Sequence, residues 1–219
     1  MANLKSNWKQ AWQIPAFRIH AIAAWIAGML LALSAPGFLG FIQTVPGTPL
    51  QDTLLNHIPA HDMSWYTFTL LYVLIILVVI QLAFQPVLLI KGLQAYILLN
   101  LMRACCIYFV PLEPDQNIIP LVDPIIDHFF YQKVIITKDL FFSGHVSAMT
   151  LLCLLSPSAY TKKLAVVFTS LVAAFIIVQH VHYTIDIIAA PIAAWIAHYI
   201  VSLYFGPVFT DSEIGYRKV

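Results

Sequence analysis

Two short segments carry residues whose types and spacing suit acid–base and nucleophilic chemistry. One is Lys138-Asp139-Leu140-Phe141-Phe142-Ser143-Gly144-His145, and the other is His182-Tyr183-Thr184-Ile185-Asp186. His182 and Asp186 are four apart, so a helix puts them on one face. A carboxylate there holds one imidazole nitrogen protonated and leaves the other as a nucleophile or base. His145 can supply a proton to a leaving oxygen. Ser143 and Gly144 stand where a helix is expected to begin, and backbone N–H groups at a helix start favour a phosphate oxygen. Nucleophile, orienting acid, proton donor and anion cradle together point to phosphoryl transfer through a phosphohistidine. That chemistry needs no cofactor and no metal.

The remaining polar residues divide less sharply. Arg103 lies inside an apolar stretch, where snorkelling, a structural ion pair and phosphate binding are all open. Asp186 falls about one turn into an apolar stretch, where an acid is costly and function is the default reading. Single histidines at a membrane interface need no function, and His20, His57, His128 and His198 are read that way. His180, two residues before His182, points to another face and is read as structural. The histidine count permits a zinc site, but no ligand spacing supports one. Cys105 and Cys106 are adjacent and Cys153 sits in an apolar run, so a disulfide framework is not expected.

Elements that position these residues follow from composition. Of the 219 residues, 61% are hydrophobic and 10% charged, and the mean hydropathy is +0.85. Soluble domains run about 45–50% apolar and about 25% charged. The composition therefore excludes an ordinary soluble core and points to an all-α polytopic protein, a bundle of six transmembrane helices of about 20 residues each. The net charge of +1 argues against nucleic acid as a partner. The spans are expected at Ile19–Phe41, Trp65–Phe84, Leu93–Phe109, Asp139 to before Ser156, Leu164–Gln179 and Tyr183–Tyr204, the last bent at Pro191. Prolines at 46, 49, 59, 111, 114, 120 and 124 mark loops. The expected division is a cytoplasmic N-terminal segment at 1–18, the membrane domain at 19–205 and a cytoplasmic tail at 206–219. With six spans, Lys5, Lys9, Arg18, Lys91, Lys162, Lys163, Arg217 and Lys218 share one side, against Lys133 and Lys138 on the other. The basic side is expected to be cytoplasmic. The opposite, exoplasmic or lumenal side collects Asp52, Asp62, Glu113, Asp115, Asp123, Asp127 and Asp139 along with both chemical segments.

At these residues the sequence resembles the type 2 phosphatidic acid phosphatase (PAP2) superfamily, and within it the sphingomyelin synthase branch. SGH at 143–145 resembles the superfamily's second motif, and His182 with Asp186 its third. DLFFSGH and HYTID are similar to the branch's third and fourth motifs. PLQD at 49–52 with HDMSW at 61–65 is similar to its first, and RACCIYFVPLEP from Arg103 to its second. The resemblance spans about residues 49–190. It implies a six-helix bundle with His182 as nucleophile, Asp186 as its partner and His145 as acid/base. The phosphatase branch's Lys and Arg-Pro motif is absent, and Ile176 stands where that branch has an arginine before the nucleophile. Arg103 and Lys138 are the replacements for holding phosphate, with Asp139, Ser143, Gly144 and Tyr183 beside them. The implied partners are a phospholipid donor and a lipid alcohol acceptor, ceramide or diacylglycerol, or water. A phosphatase or phospholipase C is the alternative. A non-catalytic binder or transporter is disfavoured because no repeat is visible and the ionisable cluster lies at one end. Only the catalytic bundle is expected, with no added interaction domain.

Overall fold

The structure, a computed structural model, describes residues 4–123, 136–205 and 209. Lys133, Arg217 and Lys218 of the charge count, Asp127, His128, and residues 206–208 and 210–219 of the expected tail lie outside the described residues. Seven α-helices and no strand occur among the described residues: α1 (Leu4–Gln13), α2 (Pro15–Thr44), α3 (Ser64–Ala83), α4 (Pro86–Phe109), α5 (Gly144–Leu155), α6 (Ala159–Val178) and α7 (Thr184–Phe205). Five of them, α2, α3, α4, α6 and α7, are long and apolar enough to cross a membrane. Their outward faces carry large apolar side chains such as Leu33, Trp65 and Ile188. Lipid solvates such a surface, whereas water would drive it to associate.

The helices differ from the expected spans at informative places. Prolines at the first helical position start α2 and α4, where the missing N–H costs nothing. The 18/19 border of the expected N-terminal segment therefore falls inside α2. The third span does not start at Leu93. It starts at Pro86, and Lys91, expected in a cytoplasmic loop, is buried in the second turn of α4. The fourth span does not start at Asp139. Its helix covers only the 12 residues Gly144–Leu155, about 18 Å at 1.5 Å per residue. That is well short of a hydrocarbon core of about 30 Å. Residues 136–143 run without helical structure into its start. Irregular backbone is tolerated at membrane depth when protein covers it, and α5 is enclosed by α3, α4, α6 and α7.

Small residues allow this enclosure. Ala190, Ala193, Ala194 and Ala197 of α7 are all buried, and small side chains let helix backbones approach closely. The N-terminal segment is not irregular: α1 folds back so that the Trp8 indole donates to Ala83 O (2.9 Å) and the Asn7 amide to Phe84 O (2.7 Å). Those carbonyls at the end of α3 would otherwise lack donors. At the other end of the bundle, Leu55, Leu112, Leu140, Ile177 and Tyr183 form a second small core. It seats the loops around the chemical segments.

Candidate active site

Both chemical segments meet at one end of the bundle. His182 and Tyr183 lie in the short turn that leads into α7, and Asp186 is in its first turn, fully buried. His182 Nδ1 faces Asp186 Oδ2 at 3.4 Å, and the same oxygen accepts from Tyr183 N at 3.0 Å. Since Nδ1 faces the acid, Nε2 is the nitrogen left for chemistry. The α5 segment is tied directly to this turn, because Ser143 N donates to Asp186 O (3.3 Å). Ser143 then caps α5: its hydroxyl accepts from Val146 N (3.5 Å) and its carbonyl from Ser147 N (3.1 Å). His145 follows one residue after Gly144, edge-on to Phe68 with ring centroids 5.6 Å apart. Its Nδ1 is buried with no hydrogen-bond partner among the described residues.

Arg103 reaches the same place from α4. Its Nε donates to Phe142 O (2.9 Å), one terminal nitrogen donates to Asp139 O (3.1 Å), and the other pairs with the Asp139 carboxylate (2.7 Å). The guanidinium thus holds the turn that delivers Ser143 and His145. It also explains Gly144, whose missing side chain leaves room for it: a Cβ there would lie 2.9 Å from Arg103 Cζ. Arg103, Asp139, Gly144, His145 and His182 all line one cavity of about 1190 Å³, which continues between α2, α3 and α4 along mostly apolar walls. Its size exceeds the roughly 300–1,000 Å³ of ordinary small-molecule sites.

Lys138 and Tyr183 do not face that cavity. The Lys138 ammonium donates to Glu113 (2.7 Å) and to Val45 O at the end of α2 (2.9 Å). The Tyr183 hydroxyl donates to Glu113 O (2.8 Å) and accepts from Leu50 N (3.3 Å). Burial lifts the Tyr183 phenol above its ordinary value, so it stays a donor at neutral pH. The Lys138 hydrogen bond holds the Glu113 carboxyl below its usual range. His180, at φ 56, turns its ring nitrogens to Asp115 and to Ile58 O, both at 2.9 Å. A positive φ is uncommon for a residue with a side chain, and the buried Gln179 beside it bonds Met63 N, Ser64 and Pro120 O. These two residues knit the loops under the site.

Asp52 is a scaffold residue whose role the sequence does not reveal. Its carboxylate accepts from Thr184 N (2.6 Å) and Thr184 Oγ1 (3.0 Å), and so caps α7 from 132 positions away. Burial pushes its pKa up, but the hydrogen bonds from Thr184, Leu55 and Leu54 outweigh burial and hold it below the usual value. The one signal was its place in the PLQD motif. Among the described residues no three His, Cys, Asp or Glu side chains converge as a metal site requires.

Residues 138–206 match the family model for the PAP2 superfamily C-terminal region. No curated protein and no solved structure matches the chain. The matched 69 of 219 residues (206 − 138 + 1) contain α5, α6 and α7, and with them His145, His182 and Asp186. Arg103, Asp52 and the α2–α4 walls of the cavity lie outside the match. The match is consistent with an enzyme that acts on phosphoesters, and it supports the PAP2 superfamily for this chain through the three helices that carry the histidines.

Proposed function

We propose that the protein is a membrane-embedded lipid phosphotransferase of the sphingomyelin synthase type, which moves a phospho-headgroup from a phospholipid to a lipid alcohol. The observation that carries this reading is one apolar cavity walled at one end by His145, His182 and Arg103. In the first step His182 Nε2 attacks phosphorus. The N–P bond forms, the P–O bond to the diacylglycerol portion breaks, and His145 protonates the departing oxygen. Asp186 holds the His182 ring and offsets the charge that develops. In the second step the acceptor hydroxyl gives its proton to His145 and attacks phosphorus, and the N–P bond breaks. Water in place of that alcohol makes the same site a phosphatase or phospholipase C.

The membrane arrangement belongs to the same reading. Residues 136–143 with α5 make a sixth crossing, both termini are cytoplasmic, and the histidines work on the exoplasmic or lumenal side.

Trapping the phosphoenzyme tests the mechanism. Purified protein is incubated with headgroup-labelled phospholipid, with and without ceramide or diacylglycerol, and acid-labile label on protein and products are followed. Native protein gives labelled enzyme and a labelled lipid product that requires the acceptor. His182→Ala gives no covalent label. His145→Ala loses turnover but still takes label from a nitrophenyl phosphodiester, whose leaving group departs without a proton. Asp186→Asn keeps the shape and weakens the nucleophile. Label on His182→Ala protein, with none on His145→Ala, reverses the two roles.

A further inference from the structure

The end of the bundle away from the histidines holds a buried cation. Lys91 is only 7% exposed, and its ammonium makes no hydrogen bond and no ion pair with the described residues. Burying a charge without a partner is costly, and an ionisable side chain inside a membrane domain marks an ion or ligand path. The described acidic residues all lie in or beside the site loops at the opposite end, so no carboxylate among them offsets Lys91. Its surroundings add positive charge instead. The last turn of α5 packs against α4 and α6 here: a Cβ on Gly92 would lie 2.8 Å from Leu155 Cδ1, and Cys153 Sγ donates to Lys162 O at 3.7 Å. The Gln81 amide donates to Thr161 Oγ1 (2.7 Å) and so fixes the first turn of α6, with Lys162, to the end of α3. From α7, His198 stands within electrostatic reach of both ammonium groups. Its carbonyl accepts from Ser202 Oγ (2.6 Å), while its ring nitrogens have no partner among the described residues.

Three helices thus bring two ammonium groups and an imidazole to one place. An ammonium has donors only, and an imidazole can turn a donor to a ligand. The fitting ligand is therefore an anion rich in acceptors. The start of α6 favours the same sign of charge, because Ser158 gives it no side-chain cap and its first N–H groups point outward. Depth narrows the choice. Lys91 is five residues from the start of α4, about 7.5 Å along the axis, and a lysine stem carries its head outward from such a depth to the interface. Basic pockets between transmembrane helices at that level take phosphate headgroups. None of Lys91, Lys162 and His198 lines the cavity that holds His145 and His182.

We propose that Lys91, Lys162 and His198 form a second binding site, separate from the catalytic cavity, for the phosphate group of an anionic phospholipid. Free phosphate presents the same chemistry, and the test separates the two sources. Full-length protein in a neutral detergent is titrated with dioleoyl-phosphatidylglycerol, dioleoyl-phosphatidylcholine or inorganic phosphate, and bound lipid is counted by native mass spectrometry beside thermal melts. Native protein retains phosphatidylglycerol more tightly than phosphatidylcholine and melts higher with it, as a ligand of the folded state requires. Lys91→Met binds phosphatidylglycerol about tenfold or more weakly, loses the gain in melting temperature and keeps its phosphatidylcholine binding. Lipid-free melts of this variant show that it is folded, since it exchanges an unpaired buried charge for an apolar side chain. Lys162→Ala weakens phosphatidylglycerol in the same direction. Arg103→Met, which alters the catalytic cavity, keeps the Lys91-dependent gain, and Lys163→Ala, which removes an exposed charge beside Lys162, keeps it too. Native-like phosphatidylglycerol binding by Lys91→Met overturns the site. A loss in Lys163→Ala as large as in Lys91→Met overturns it as well, in favour of diffuse surface attraction. Equal protection by inorganic phosphate, lost in Lys91→Met, overturns the lipid as the occupant.

Discussion

Arg103 holds the turn before α5, and under the proposed function it has a second duty that draws on the same five N–H groups. Its Nε and one terminal nitrogen donate to Phe142 O and Asp139 O, and the other terminal nitrogen pairs with the Asp139 carboxylate at 2.7 Å; on the proposed reading the remaining N–H groups serve a phosphate at the cavity end. A charge-assisted bond contributes about 1.5–3 kcal/mol, so Arg103→Met is expected to slow turnover by roughly 10- to 150-fold. Arg103→Lys keeps the charge but lacks the planar fork, and should restore only part of the rate. Lys138→Met should affect turnover less, since its ammonium is engaged at Glu113 and Val45. Gly144→Ala asks a sharper question. The added methyl would sit 2.9 Å from Arg103 Cζ and must push the guanidinium aside. Turnover should drop on the order of 10- to 100-fold, as small misplacements of catalytic groups do. The melting temperature should hardly move. Steady-state rates measured beside thermal melts check both; full activity in Gly144→Ala would mean that the Arg103 position is unimportant.

At the scale of elements, the start of α7 depends on a carboxylate from the loop that follows α2. Asp52 satisfies Thr184 N, one of the donors that a helix start leaves unpaired. Asp52→Ala should lower stability by about 0.5–2 kcal/mol, the usual cost of a lost cap, and, if His182 is the nucleophile as proposed, should slow turnover, because Thr184 is two residues from it. Acid should do the same by protonation. Asp52 and Glu113 both have folded-state pKa values below their ordinary ones. Their contributions are complete above the unfolded carboxylate values of about 4 and fade as pH falls through the lower folded values. Melting curves should therefore show native protein and Asp52→Asn well separated at pH 7. The gap should close below about pH 4. A gap that persists well below that pH would mean the Asp52 charge adds nothing to the cap.

The whole molecule brings opposite kinds of chemistry to its two ends. All the described acidic residues lie in or beside the site loops, on the far side of the bundle from α1 and the start of α6. On the proposed topology, with the basic side cytoplasmic, Asn117, exposed in the loop after α4, should be accessible from outside. In a background with Cys105, Cys106 and Cys153 replaced by alanine, Asn117→Cys should react with a membrane-impermeant maleimide on intact cells or sealed vesicles of native orientation. Reaction only after permeabilisation would put the site loops in the cytoplasm and reverse the topology.

Legibility follows from the range of the interaction. Hydropathy and proline placement are local, so the all-helical membrane character and five long apolar helices could be read directly from the residues. His182 and Asp186 could also be paired from sequence because they are only four apart, although His182 stands in the turn before α7 and not in the helix that the spacing implied. The starts of α4 and α5 could not be read so reliably. Pro86 carries the helix through Lys91, which a charge count assigns to a loop, while Arg103 takes the carbonyls of Asp139 and Phe142 and delays α5 to Gly144. Asp52 on Thr184, Glu113 on Lys138 and Tyr72 on Asp123 join positions 132, 25 and 51 apart. Bonds of that kind exist only once the helices have packed. The sequence by itself determined which side chains could do the chemistry; the packing of α3, α4, α5 and α7 decided which of them share one cavity, because burial and reach are properties of the assembled bundle.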